Sequence, residues 1–151
     1  MKTLLLAFLS LYSTCCVMDK DYPLFVQNNT SGAIQASINE GGEFGPLYPD
    51  TLLPNSKVRL SLPIPSDQKL AVAGGTATWA SVFATKFPSD TLSLFIYDSD
   101  TLATYDWPAV RSGYKILGRF DLSLSDLERL GYVVKYPPDA SMTGIKSFIR
   151  Y

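Results

Sequence analysis

The residues with the most chemical potential are three aspartates in one short segment, DSDTLATYD, which places Asp98, Asp100 and Asp106 directly after an apolar run. Carboxylates grouped like this could serve as the paired acids of a histidine-free, glycosidase-like hydrolase. They could also supply oxygen ligands to calcium, although the spacing lacks the D-x-D-x-D-G of an EF-hand loop. The simplest use is local, because Asp100 and Asp106 each precede a short segment that a carboxylate would cap as a helical turn. The rest of the composition narrows the field. The 151-residue chain contains no histidine, which removes the commonest general base, the Ser-His and Cys-His nucleophile systems and nearly every zinc site. With 13 basic residues scattered among 14 acidic ones, there is no electrostatic footprint for nucleic acid. No cofactor is expected.

The only two cysteines are adjacent, Cys15 and Cys16, at the end of LSLYSTCC. One lysine, an apolar run from Leu4 to Tyr12 that is too short to span a bilayer, and the small polar pair Ser13-Thr14 precede them. That is the layout of a secretory signal peptide. Its ending resembles the lipobox of bacterial lipoproteins, in which a cysteine is acylated and becomes the mature N-terminus. Neighbouring cysteines cannot easily close a useful loop, and the remainder of the chain offers no thiol partner. Cys15 has Tyr12 at the third position back and Cys16 has Ser13 there, so neither fits the strict pattern, and Cys15 is marginally preferred. The expected division is a signal peptide over 1–14, a tether over 15–22 and a single domain over 23–151. An ordinary secreted protein cleaved beyond Cys16 is the alternative.

Those acids and any binding surface must be held by short strands. PLFVQ and AIQASI are β-rich runs separated by the turn cluster NNTSG, a pattern that predicts a hairpin. Residues 39–56 are dense in Gly and Pro and predict a long loop. KVRLSLPI alternates Val58, Leu60, Leu62 and Ile64 with polar residues, the period of a half-buried strand ending at Pro63 and Pro65. TWASVFATKF spaces Trp79, Val82, Phe83 and Phe87 as a helix, and TLSLFIYD reads as a central strand. Asp106 is the expected N-cap of a turn over 107–112 that ends at Gly113. YKILGRFDLS is a further strand, Ser125 and Glu128 have capping-box spacing before Gly131, YVVKY is the last strand, and the tail to Tyr151 is irregular. Phe25, Val58, Leu60, Trp79, Leu94, Ile96, Ile116, Leu117 and Val133 form the expected core. The fold class is mainly β, a β-sandwich with short helical inserts, immunoglobulin-like or C2-like.

The phrases YPDTLLP, FPSDTLSLFIYDSDTL and, most specifically, GYKILGRFDLSLSDLERLGYVVKYPP resemble a family of small uncharacterised lipoproteins of Bacteroidetes. The resemblance implies a location in the bacterial cell envelope, on the inner or outer membrane, and a folded β-rich domain; it carries no activity and no catalytic residues. Three copies of Asp-Thr-Leu place Thr51, Thr91 and Thr101 in a pattern that resembles the O-glycosylation motif of envelope proteins from the same group. Asp as a turn residue, followed by a Thr-Leu entry into the next element, explains the repeat equally well. The N-x-S/T sequons at Asn28 and Asn29 are read as turn residues. In the long loop, Phe44 and Tyr48 are aromatics that could stack on a sugar or pack on the end of the sandwich. The expected function is a non-enzymatic, lipid-anchored binding or accessory module for an envelope protein or a glycan. The carboxylate-based hydrolase is the alternative.

Overall fold

A computed structural model describes residues 21–57 and 59–150. Cys15, Cys16, the expected signal peptide and Val58 lie outside the described residues. The strands are β1 (Leu24–Asn28), β2 (Ile34–Ile38), β3 (Lys69–Ala73), β4 (Leu92–Asp98), β5 (Gly118–Leu122), β6 (Val133–Tyr136) and β7 (Lys146–Ile149). Between them lie the helices α1 (Trp79–Lys86), α2 (Ser99–Thr104), α3 (Trp107–Ser112) and α4 (Leu124–Arg129). The protein is mostly β, with a three-stranded sheet in the order β3-β1-β6 and a four-stranded sheet in the order β2-β4-β5-β7.

The two sheets share one apolar core. Leu24 and Val26 from β1 and Val134 and Tyr136 from β6 pack with Ile34, Ala36, Ile38, Leu92, Leu94, Ile96, Phe120 and Leu122. Register explains the match, because Ala36 pairs with Ile96, and Leu94 pairs with both Ile38 and Phe120, so all face the same side. β4 is unusual in having no solvent face: Leu92 through Tyr97 are all buried. Its other side carries Phe95 and Tyr97, which pack in a second cluster with Leu53, Leu102, Trp107, Val110 and Ile116. The four-stranded sheet is therefore covered twice, by the other sheet and by a layer made of α2, α3 and the Gly/Pro-rich loop.

Several expectations fail for identifiable reasons. β1 and β2 exist but do not form a hairpin; β1 pairs with β3 and β6, and β2 with β4. Buried Asn28 redirects the chain. Its Nδ2 donates to the carbonyls of Gly32 at 2.7 Å and Ile64 at 2.9 Å, while its Oδ1 accepts from the Thr30 amide and hydroxyl, so NNTSG crosses from one sheet to the other. The strand expected over 57–64 reduces to a single bridge between Ile34 and Ile64. Pro63 and Pro65 have no amide to donate, and the Ser61 hydroxyl, rather than a carbonyl, accepts from the Ala36 amide at 3.0 Å. Leu62 is consequently 74% exposed and Leu60 half-buried. This irregular segment nevertheless closes the open edge of β2.

The capping box lies two residues earlier than expected. Ser123, not Ser125, caps α4: its Oγ accepts from the Asp126 amide at 3.1 Å, and Asp126, not Glu128, answers through its carboxylate to the Ser123 amide at 3.1 Å. The tail is not irregular, since β7 pairs with β5 and continues the sheet. Phe25, Leu117 and Val133 are half-buried rather than core, while Leu24, Val26 and Val134 are inside; both β1 and β6 face the other way by one residue. Leu94, Ile96, Ile116 and Trp79 are buried as expected.

Truncating Leu94 to Ala should destabilise the protein by about 2–5 kcal/mol in urea unfolding, whereas Leu62→Ala should change stability by less than about 0.5 kcal/mol. The α4 cap makes a pH prediction. Burial pushes the Asp126 carboxyl up, but the Ser123 hydroxyl and amide and then Arg129 outweigh it and hold it below the usual carboxylate range. A carboxylate lowered in the folded state adds stability above its unfolded pKa of about 4, and that stability is lost as the pH falls through the folded value. In Asp126→Asn, the acid limb of a stability-against-pH profile should be flatter than in the parent.

Candidate functional site

The three aspartates sit at helix starts. Asp98 is the N-cap of α2, its Oδ2 accepting from the Thr101 amide at 2.8 Å and from the Thr101 hydroxyl at 2.9 Å. Asp106 caps α3 by accepting from the Ala109 amide at 2.9 Å. Asp106 was expected as a cap and Asp98 takes the role expected for Asp100, which lies exposed in the first turn of α2. Asp98 is both the last residue of β4 and the N-cap of α2, which begins directly at Ser99. Among the described residues, no three acidic or thiol side chains converge as metal ligands would. Asp98 and Thr101 line a hollow of about 280 Å³ with Lys115 and Arg150, and the Lys115 ammonium lies 4.4 Å from the centre of the Tyr105 ring.

The Gly/Pro-rich loop does not project; it is fastened down. Four consecutive carbonyls each accept from a different side chain: Thr51 from the Tyr114 hydroxyl at 3.0 Å, Leu52 from Asn39 Nδ2 at 3.1 Å, Leu53 from Arg111 Nε at 3.0 Å and Pro54 from Trp107 Nε1 at 2.9 Å. Below them, Asp121 is buried, accepts from the Ser93 hydroxyl at 2.9 Å and forms an ion pair with Arg119 at 3.2 Å. Arg119 in turn donates to the Tyr114 hydroxyl at 3.0 Å. Burial pushes the Tyr97 phenol well up, opposed by its hydrogen bond with Ser37. This chain of polar contacts is structural glue for the loop.

Phe44 and Tyr48 are each half-buried, with a cation against the ring: Arg59 is 4.5 Å from the Phe44 centroid and Lys146 is 5.0 Å from that of Tyr48. Lys146 also donates to the Tyr48 hydroxyl at 2.8 Å, and that hydrogen bond holds its ammonium above the usual lysine range. The three Asp-Thr-Leu threonines are not equivalent. Thr91 donates to the Ser89 carbonyl and Thr101 to Asp98, whereas Thr51 lies between exposed Asp50 and Leu52.

The most ligand-like surface lies elsewhere. Tyr22, Pro23, Phe25, Trp79 and Tyr132, with Asp21 and Gly131, line a hollow of about 440 Å³. Parallel pairing assembles it. β1 and β6 run side by side with Phe25 opposite Val133, so the residues that precede the two strands, Tyr22-Pro23 and Gly131-Tyr132, meet at one end of the sheet. The Phe25 amide donates to the Tyr132 carbonyl at 2.9 Å, and the Tyr132 amide donates to the Leu127 carbonyl at 2.8 Å. These bonds hold Tyr132 at φ +61°, an uncommon conformation for a bulky residue. Trp79 starts α1 under the Thr78 cap and contributes the third wall. None of these residues forms a motif in sequence. The adjacency of two strands about a hundred positions apart was the missing information, and Trp79 was visible only as a core residue.

If Asp98 acts only as a cap, Asp98→Ala should lower stability by about 1 kcal/mol and Asp98→Asn by much less, because asparagine caps nearly as well. Millimolar calcium should leave the melting temperature of the parent unchanged. A calcium-dependent rise that both variants abolish would restore the metal-site reading.

Compared with family models, curated proteins and solved structures, the chain matches none.

Proposed function

We propose that the chain is a bacterial envelope lipoprotein, acylated at Cys15 or Cys16, whose β domain is a non-enzymatic binding module for a protein or glycan of the envelope. The LSLYSTCC segment and the resemblance to small Bacteroidetes lipoproteins support the anchor. The observation that carries the binding role is the aromatic hollow formed by Tyr22, Phe25, Trp79 and Tyr132, with Asp21 at its edge. A concave, largely apolar surface with a few polar groups is what a recognition site requires. It also lies where the tether joins the domain, so a ligand held there stays close to the membrane that the acyl chains occupy.

The carboxylate hydrolase is the weaker reading, because Asp98 and Asp106 are engaged as helix caps. Of the two sandwich types expected, the C2-like one drew on the same acidic loop, and we retain the immunoglobulin-like comparison for the two-sheet arrangement. If a threonine of the Asp-Thr-Leu repeats is modified, Thr51 is the preferred one, since the hydroxyls of Thr91 and Thr101 already donate within the protein.

Replacing both Cys15 and Cys16 by Ala should abolish fatty-acid labelling and move the protein from the membrane fraction into the soluble fraction. Membrane retention of the double variant would contradict the anchor. Single variants identify the acylated cysteine.

A further inference from the structure

The aromatic hollow does not stand alone. A second hollow of about 390 Å³ runs along residues 71–75 and shares Asp21 and Pro23 with it, and a third of about 280 Å³ shares Gly74 and Gly75 with the second and Trp79 with the first. The three hollows thus adjoin at a single junction. There the Tyr22 amide donates to the Gly75 carbonyl at 2.9 Å. Gly74, at φ +136°, keeps the junction closed, since a Cβ on it would lie 2.7 Å from the Tyr22 carbonyl oxygen.

We propose that the three adjoining hollows act as one groove that binds a linear, uncharged saccharide, one ring stacking in the aromatic hollow and the following sugars passing Gly75 to the third hollow. The inference rests on the binding-module reading and names its ligand. Three features of the lining carry it. Aromatic faces accept the C–H-lined face of a pyranose. The third hollow offers the short hydroxyls of Thr76 and Ser81 beside Glu40, and hydroxyls that both donate and accept match those of a sugar. The indole N–H of Trp79, whose ring lines both the first and third hollows, is buried without an acceptor among the described residues.

Charge sets the sugar class. The lining holds two acids, Asp21 and Glu40, and one cation, Lys86; beside it, Arg59 lies 3.7 Å from Glu40 and Lys69 lies 4.8 Å from the centre of the Phe25 ring. The lining itself holds one more acid than cation, so it has no cationic surplus to hold a polyanionic chain. Gly75 provides a way to block the groove without disturbing the fold. A Cβ there meets nothing within 4 Å.

The test is titration of the full-length protein in detergent with chitohexaose, cellohexaose and maltohexaose, their monosaccharides and a proline-rich peptide, followed by tryptophan fluorescence and calorimetry. One hexasaccharide should bind saturably, at least about tenfold more tightly than its monosaccharide, and Gly75→Phe and Tyr132→Ala should each weaken it by at least about tenfold. The melting temperature of Gly75→Phe should equal that of the parent; that variant decides the matter if Tyr132→Ala fails to fold. Absence of binding by all three hexasaccharides, or equal affinity in Gly75→Phe, would overturn the proposal. Peptide binding that Gly75→Phe abolishes, with no saccharide bound, would overturn the glycan assignment and leave the binding-module reading standing.

Discussion

Burial of β4 on both of its faces is the constraint from which the remaining architecture follows. A strand in a two-layer sandwich alternates between core and solvent, but six successive residues here, Leu92 through Tyr97, are removed from water. One face meets the three-stranded sheet through Leu92, Leu94 and Ile96. The other carries Phe95 and Tyr97, large side chains that must be covered by something other than a sheet. α2 and α3 contribute Leu102, Trp107 and Val110, and the loop contributes Leu53. Short helices of six residues are marginal by themselves, so their side-chain caps at Asp98 and Asp106 and their apolar contacts with β4 hold them together.

Covering a sheet with irregular chain raises a second problem, because a loop has no ladder partners for its backbone. The solution lies in the carbonyls of residues 51–54, which are met in turn by Tyr114, Asn39, Arg111 and Trp107. An unmet carbonyl at such a site would cost about 1–3 kcal/mol. Tyr114 is itself positioned by Arg119, which is paired with buried Asp121, and Asp121 is hydrogen-bonded to Ser93 on β4. The polar network and the apolar cluster thus act on the same loop from the same strand. In the other sheet the constraint is topological. The parallel pairing of β1 with β6 brings two strand beginnings together, and their aromatic residues form the hollow that carries the proposed function.

The strongest periods and one helix cap were legible in the sequence, although the 57–64 alternation gave only a bridge and the α4 and α2 caps fell on neighbouring residues. The apolar run of β4, the helical spacing of Trp79, Val82 and Phe83, and the Asp106 cap all rest on interactions within a few residues, and each appears in the fold. What depends on distant partners was not legible. NNTSG has the composition of a hairpin turn, yet Asn28 bonds to Ile64 and the chain changes sheets. β3 has small residues and two half-buried positions near its end, Val72 and Ala73, with no clean alternation, and it went unread. The faces of β1 and β6 slipped by one residue because both of their sides carry apolar groups. For the site, the acidic segment attracted attention by its composition, while the aromatic hollow is built from residues that only the topology joins.

The proposed function requires a rigid scaffold, and rigidity depends on the loop being an integral layer. Hydrogen exchange at the Trp107 indole tests that most directly, since its Nε1–H is freed when the loop, with its Pro54 carbonyl, lifts away from α3. The account predicts exchange slowed by at least about a hundredfold relative to a free indole, comparable with the amides of β4. Exchange at the free-indole rate, with the β4 amides still protected, would show that the loop is not part of the core and would contradict the three-layer arrangement.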